Sequence, residues 1–157
     1  MKKDIFDWLN EYSQYHKNQT NKIIHWFCIP LIMLSLFGLL SIPHIQINLF
    51  NTVYNINLTH ALIIGSIIFY VRLSITITIG MLLISIGLIN IVDYLDAYKE
   101  NYLLCFYTIL FIFSWVIQFI GHKIEGKKPA FIKDLKFLLI GPAWLLSFIY
   151  MKLKIKI

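Results

Sequence analysis

Three apolar stretches set the terms on which this chain can fold: residues 23–42, 60–92 and 102–121. About 20 apolar residues cross the hydrocarbon core of a bilayer as a helix. In lipid the backbone must satisfy its own N–H and C=O groups, and a helix does this within one segment. Composition points the same way. Of the 157 residues, 59% are hydrophobic and 14% charged, against about 45–50% and about 25% in soluble domains. The expected fold is all-α, a multispan transmembrane helical bundle forming one integral membrane domain over residues 1–157.

The boundaries follow from the polar residues that interrupt these stretches. Residues 60–92 are too long for one span, and Arg72 divides them. Spans are therefore expected near 23–42, 59–71, 73–92 and 102–121, with Pro30 kinking the first. Residues 43–59 are polar and uncharged and predict a short extramembrane hairpin, whereas 93–101 predict an acidic loop carrying Asp93 and Asp96. The apolar segment 137–151, with Gly141 and Pro142, is marginal in length and is expected to be re-entrant or interfacial. Residues 1–22 form an interfacial unit: an amphipathic helix over 4–16 capped by Asp4, then a polar turn at 17–22. Ile5, Trp8, Leu9, Tyr12 and Tyr15 supply its apolar stripe, and Thr20 or Asn21 is the expected cap of the next helix. No cleavable signal peptide is apparent, because 1–22 lack an apolar core.

The net charge of +6 comes from lysines that flank apolar runs. Nucleic-acid binding calls for basic side chains across a soluble face, so the pattern reads as topology. Basic loops stay cytoplasmic. The N-terminus, Arg72 and residues 122–136 then share the cytoplasmic side of the membrane, and the Ile, Lys and Asn bias of the composition predicts a bacterial source and so an inner-membrane protein. Cys28 and Cys105 lie inside apolar segments and read as buried packing residues. Asn90, inside a span, reads as a helix–helix hydrogen-bonding residue.

The chemistry concentrates where an apolar helix turns polar, in WVIQFIGHKIEGKKPA, Trp115 to Ala130. Trp115, Gln118, His122 and Glu125 recur at helical spacing and share one face. A polar stripe in lipid is expensive and should face a cavity, a protein interior or a metal. The charge topology places His16, His25 and His122 at the same cytoplasmic end. His16 and His25 would diverge on one continuous helix, but the break at 17–22 lets His16 fold back. Asn21 shares a face with His25 and could orient its imidazole. Three imidazoles and the Glu125 carboxylate suit Fe(II), Zn(II) or Mn(II). His44 and His60 read as solvated residues on the opposite side. Lys127 and Lys128 anchor topology and could also attract an acidic headgroup or a fatty carboxylate. The sequence holds no Ser-His-Asp arrangement, phosphate-cradling glycine loop or CxxC motif.

Two blocks carry a family resemblance: YHKNQTNKIIHWFCIP, Tyr15 to Pro30, and WVIQFIGHKIEGKKPAFIKDL, from Trp115 onward. In order and separation they resemble the Y-H-x-N-x-x-N-x-x-x-H…P and W-x-x-Q-F-x-G-H…E-x-x-x-P-A-L blocks of the Mpo-type 2-hydroxy fatty acid dioxygenases. The resemblance implies an iron(II)-dependent membrane oxidoreductase of fatty acid α-oxidation, with a 2-hydroxy fatty acid and O₂ as substrates. Carried over by position, it implies that His16, His25 and His122 are catalytic or metal-binding. Asn18, Asn21 and Gln118 become supporting residues. Only two residues separate His122 from Glu125, one fewer than in the family's fungal pattern, which weakens Glu125 as a ligand. The fungal form's acidic residue in the last apolar segment has no counterpart between Phe137 and Met151. The competing readings are a zinc-dependent lipid hydrolase, a haem-binding or small transporter subunit, and a purely structural membrane protein.

Overall fold

The computed structural model describes residues 3–49, 52–98 and 102–157. Six helices and one β-hairpin make up the fold: α1 Ile5–Ser13, α2 Gln19–Ser41, β1 His44–Leu49, β2 Thr52–Asn57, α3 Leu58–Val71, α4 Ile75–Tyr98, α5 Leu103–Glu125 and α6 Phe137–Lys152. A short 3₁₀ turn, Ala130–Ile132, precedes α6. The fold is mostly helical, as the apolar runs require.

Three helices, α2, α4 and α5, are long and apolar enough to cross a membrane. At 23 residues, α2 and α5 are each roughly 34 Å long, matching a hydrocarbon core of about 30 Å. The segment expected to span at 59–71 forms α3, a 14-residue apolar helix that falls short of that length. The β1–β2 pair is the expected hairpin, antiparallel with His44 opposite Asn57. Asn57 also caps α3, accepting from the backbone N–H groups of Thr59 and His60.

Several local expectations need correction. The predicted acidic loop begins as helix, because α4 runs on through Asp93 and Asp96 to Tyr98. Asp96 accepts from the Tyr107 hydroxyl at 2.8 Å, which gives it a partner without a loop. Residues 99–101 lie outside the described residues. The cap of α2 is Asn18, whose side chain accepts from Thr20 N and Asn21 N. Cys28 is buried as expected, whereas Cys105 is exposed. Asn90 donates to Ile86 O of its own helix at 2.8 Å and so satisfies itself locally.

α1 begins with the expected Asp4, whose side chain accepts from Asp7 N in a capping box. It ends at Ser13, earlier than the stripe suggested. Its apolar stripe, Ile5, Trp8, Leu9 and Tyr12, is buried against α6. Trp8 meets Phe137 edge-on at 5.2 Å, and Tyr12 packs on Trp144 at 5.2 Å. α6 is apolar all round, as a core helix should be. Its polar atoms and those of its neighbours are paired across the contacts. Trp144 Nε1 donates to Ser13 Oγ, Tyr70 Oη to Leu139 O and Tyr150 Oη to Thr76 O. These bonds fasten α6 to α1, α3 and α4.

The dominant helix pair is α2 with α5. Gly121 permits the close approach at the site end: a Cβ there would lie 2.5 Å from Asn21 Oδ1 and 3.2 Å from Ile24 Cγ2. This contact brings the polar start of α2 against the polar end of α5.

Candidate metal centre

Each histidine is placed by an element with an independent reason to be where it is. His16 follows the end of α1, its backbone N–H bonded to Ser13 O at 3.1 Å. His25 lies one helical turn after Asn21 in α2, and His122 follows Gly121 at the α2–α5 contact. All three are buried. Their rings converge, with centroids 4.3 Å apart for His16–His25, 4.9 Å for His25–His122 and 5.1 Å for His16–His122. One ligand nitrogen from each falls within 4.8 Å of the others.

The hydrogen bonds assign the tautomers. His16 Nδ1 lies 2.8 Å from Tyr12 O, and His25 Nδ1 lies 2.9 Å from Asn21 O. A carbonyl only accepts, so each Nδ1 carries the hydrogen and each Nε2 presents a lone pair. Those two Nε2 atoms are 3.0 Å apart. Two lone pairs facing each other at this distance repel unless a cation or a proton lies between them. Two nitrogens each about 2.0–2.1 Å from a common metal ion lie roughly 3 Å apart, so the spacing fits. Nδ1–H bonds to backbone carbonyls are the usual outer support of metal-bound imidazole. His122 Nδ1 is buried without a partner, a third nitrogen left over for a ligand. Burial, and then the neighbouring His25, hold the His16 imidazole down at about 3, so it is neutral and able to ligate at physiological pH. The donor set fits a divalent metal ion, and three imidazoles alone do not select which one.

Glu125 has a different place. Its Oε1 accepts from Lys17 N at 2.9 Å, and its Oε2 accepts from Asn18 N at 2.8 Å and Asn21 Nδ2 at 3.1 Å. It stands outside the three-histidine group. The carboxylate clasps the turn between α1 and α2 to the end of α5, where Gly126 in the left-handed region ends the helix. Asn21 is fully buried and donates also to Tyr15 O at 3.3 Å, while its backbone carbonyl holds His25.

The predicted site residues thus separate. His16, His25 and His122 come together, with Asn18, Asn21 and Glu125 around them. Gln118 lines the adjoining cavity, one turn from His122. Lys127 Nζ donates to Gln14 O at 2.7 Å, and Lys128 is exposed; neither lines that cavity. The spacing alone gives Tyr12 only an interfacial role, yet its ring stacks on His16 at 4.2 Å and its carbonyl sets the His16 tautomer. Its position four residues before His16 was the available signal.

Beside the histidines opens a cavity of about 490 Å³, within the range typical of small-molecule sites. His25, His122 and Tyr12 lie at one end, and its walls come from α2, α3, α4, α5 and α6. The walls are overwhelmingly apolar, with Ile29, Met33, Phe111 and Phe131 among them.

The described residues define a class of helical membrane bundle: three helices long and apolar enough to cross a membrane, with a metal-capable histidine group beside an apolar cavity. The sequence profile described as 2-hydroxy-palmitic acid dioxygenase Mpo1-like matches residues 3–153, and the chain belongs to that family. It is also similar to the 2-hydroxy-palmitic acid dioxygenase MPO1 of Saccharomyces cerevisiae, 30% identical over 136 residues that cover 84% of this chain and 71% of the yeast protein. No solved structure matches the chain at the same stringency.

Proposed function

We propose that this protein is an Fe(II)-dependent dioxygenase that shortens 2-hydroxy fatty acids by one carbon, using O₂. The observation that carries the reading is the junction of two unlike environments. Two imidazole lone pairs face each other at 3.0 Å, and the same histidine group opens on an apolar cavity of about 490 Å³. A 2-hydroxy fatty acid has the matching division, with two adjacent oxygen functions at one end and a hydrocarbon tail at the other.

On this reading His16, His25 and His122 hold the metal. A bound ferrous ion would supply redox chemistry with O₂ and a Lewis-acidic centre for the substrate's carboxylate and hydroxyl oxygens. The chain's own residues do the rest. Tyr12 O and Asn21 O keep both Nε2 atoms deprotonated and aimed inward. The Gln118 amide, one turn below His122, is the polar group that orients the substrate head. Ile29, Met33 and Phe131 take the tail and exclude water from the head group's surroundings. Glu125, Asn18 and Asn21 position the histidines through the α1–α2 turn. The lysine distribution favours the cytoplasmic face for this end of the bundle.

The test is purified protein in detergent, loaded anaerobically with Fe(II) and supplied with 2-hydroxypalmitate and O₂. Mass spectrometry should find the fatty acid one carbon shorter, metal analysis should find iron, and His122→Ala should abolish both. Unchanged turnover in His122→Ala, or stoichiometric zinc with no O₂ consumption, overturns the proposal.

A further inference from the structure

The geometry points to Phe37 as the residue that limits the length of the tail this protein accepts. This deepens the function proposed above and rests on its placement of the substrate head at the histidines. The apolar cavity follows α2 from His25 to Phe37, twelve residues later. That is roughly 18 Å of helix. One leaflet of a bilayer's hydrocarbon core is roughly 15 Å thick, so the track matches one extended lipid tail. The surrounding helices agree on the direction. His122 and Gln118 of α5 lie at the head and Phe111 at the far end, while α3 contributes Tyr70 near the head and Leu62 near Phe37.

Phe37 also lines a second cavity, of about 750 Å³, at the opposite end of the bundle. There the lining is mixed, with Ser41, His44, Asp93 and Asp96 beside Ile42, Ile89 and Leu103. Phe37 therefore stands between an apolar chamber and one that carries two carboxylates. It is held firmly: its side chain is 5% exposed and packs with Val92 and Tyr107 in a small core of its own. The next residue, Gly38, sits so close to the Tyr107 ring that a Cβ would lie 2.4 Å from it. The Tyr107 hydroxyl is in turn bonded to Asp96. A tail too long for the chamber must displace this packed ring and then enter a cavity that Asp93 and Asp96 also line, where methylenes gain less than in the apolar chamber. A well-packed pocket discriminates by roughly tenfold or more per methylene, so the cutoff at Phe37 should be sharp. Ser85 of α4 lines the chamber partway along, about two turns before Val92, and leaves room beside the tail.

The experiment measures binding and turnover of a ladder of 2-hydroxy fatty acids with the full-length protein in detergent. Wild type, Phe37→Ala, Phe37→Leu and Ser85→Phe are compared, with binding read by displacement of a fluorescent fatty acid. The preferred length should rise by about two methylenes or more in Phe37→Ala, rise less in Phe37→Leu, and fall in Ser85→Phe. If Phe37→Ala does not fold, the opposite shifts of Phe37→Leu and Ser85→Phe carry the test. An unchanged length profile in all folded variants overturns the inference even when turnover is intact. Shifted binding profiles with no one-carbon shortening by any variant support Phe37 and overturn the proposed reaction instead.

Discussion

Replacing Glu125 by Ala separates two roles that its position next to the histidines would otherwise confuse. The carboxylate accepts from Lys17 N, Asn18 N and Asn21 Nδ2 at 2.8–3.1 Å. Hydrogen bonds to a charged group contribute about 1.5–3 kcal/mol each where they are sheltered. Two of these donors are exposed, so water replaces much of what they lose, and only Asn21 is buried. The net loss should be about 2–3 kcal/mol, felt mainly at the α1–α2 turn that carries His16. If that energy holds His16 in place, metal affinity falls by roughly 10–100-fold, the range seen when outer-shell partners are removed. The assay is competition titration of Co(II) or Fe(II) against a fluorescent chelator, run on wild type, Glu125→Ala, Glu125→Gln and His122→Ala. Glu125→Gln keeps one acceptor oxygen and should lie between wild type and Glu125→Ala. Affinity within twofold of wild type in Glu125→Ala refutes the clasp. A loss as complete as that of His122→Ala also refutes it and makes Glu125 a ligand.

Two further outcomes test the fold around the site. Gly121→Ala puts a Cβ 2.5 Å from Asn21 Oδ1, so the buried Asn21 side chain must turn or α2 and α5 must separate; overpacking of this kind costs about 1–3 kcal/mol, and thermal unfolding in detergent should show the loss together with weaker metal binding. Glu11 bonds Lys133 and Lys3, and those bonds, Lys133 first, hold its carboxyl below the ordinary value of 4.5. A depressed carboxyl stabilises the fold above 4.5 and loses that contribution as pH falls through its lowered value. Acid titration of unfolding should therefore show less pH dependence below about 4.5 in Glu11→Gln than in wild type.

Much of the helical architecture could be read from the chain alone, because its signals are local. Apolar runs of bilayer length specify helices wherever water is absent. Asp4 capped α1 as its residue type predicts, and the polar stretch before α3 formed the expected hairpin. Boundaries were less legible. Asp93 and Asp96 look like loop residues by composition, yet Tyr107 on the neighbouring helix gives Asp96 a hydrogen bond that keeps α4 helical around it. α1 looked like an interfacial helix because amphipathicity reveals an apolar face without naming what covers it; here α6 does.

The site divides along the same line. From the sequence alone came the candidate side chains: the histidines, the asparagines of the first block, and the Gln118, His122 and Glu125 stripe of the second. Helical spacing put the last three on one face, since that relation lies within a single element. Tertiary structure decided what each of them faces. The bonds from Lys17 N and Asn18 N to Glu125 join residues more than a hundred positions apart, and no periodicity encodes them. The two Nε2 lone pairs meet at 3.0 Å because the α1–α2 turn folds His16 back onto α2, and His122 joins them because Gly121 lets α5 approach α2. The apolar cavity, walled by five helices, exists only once those helices are packed.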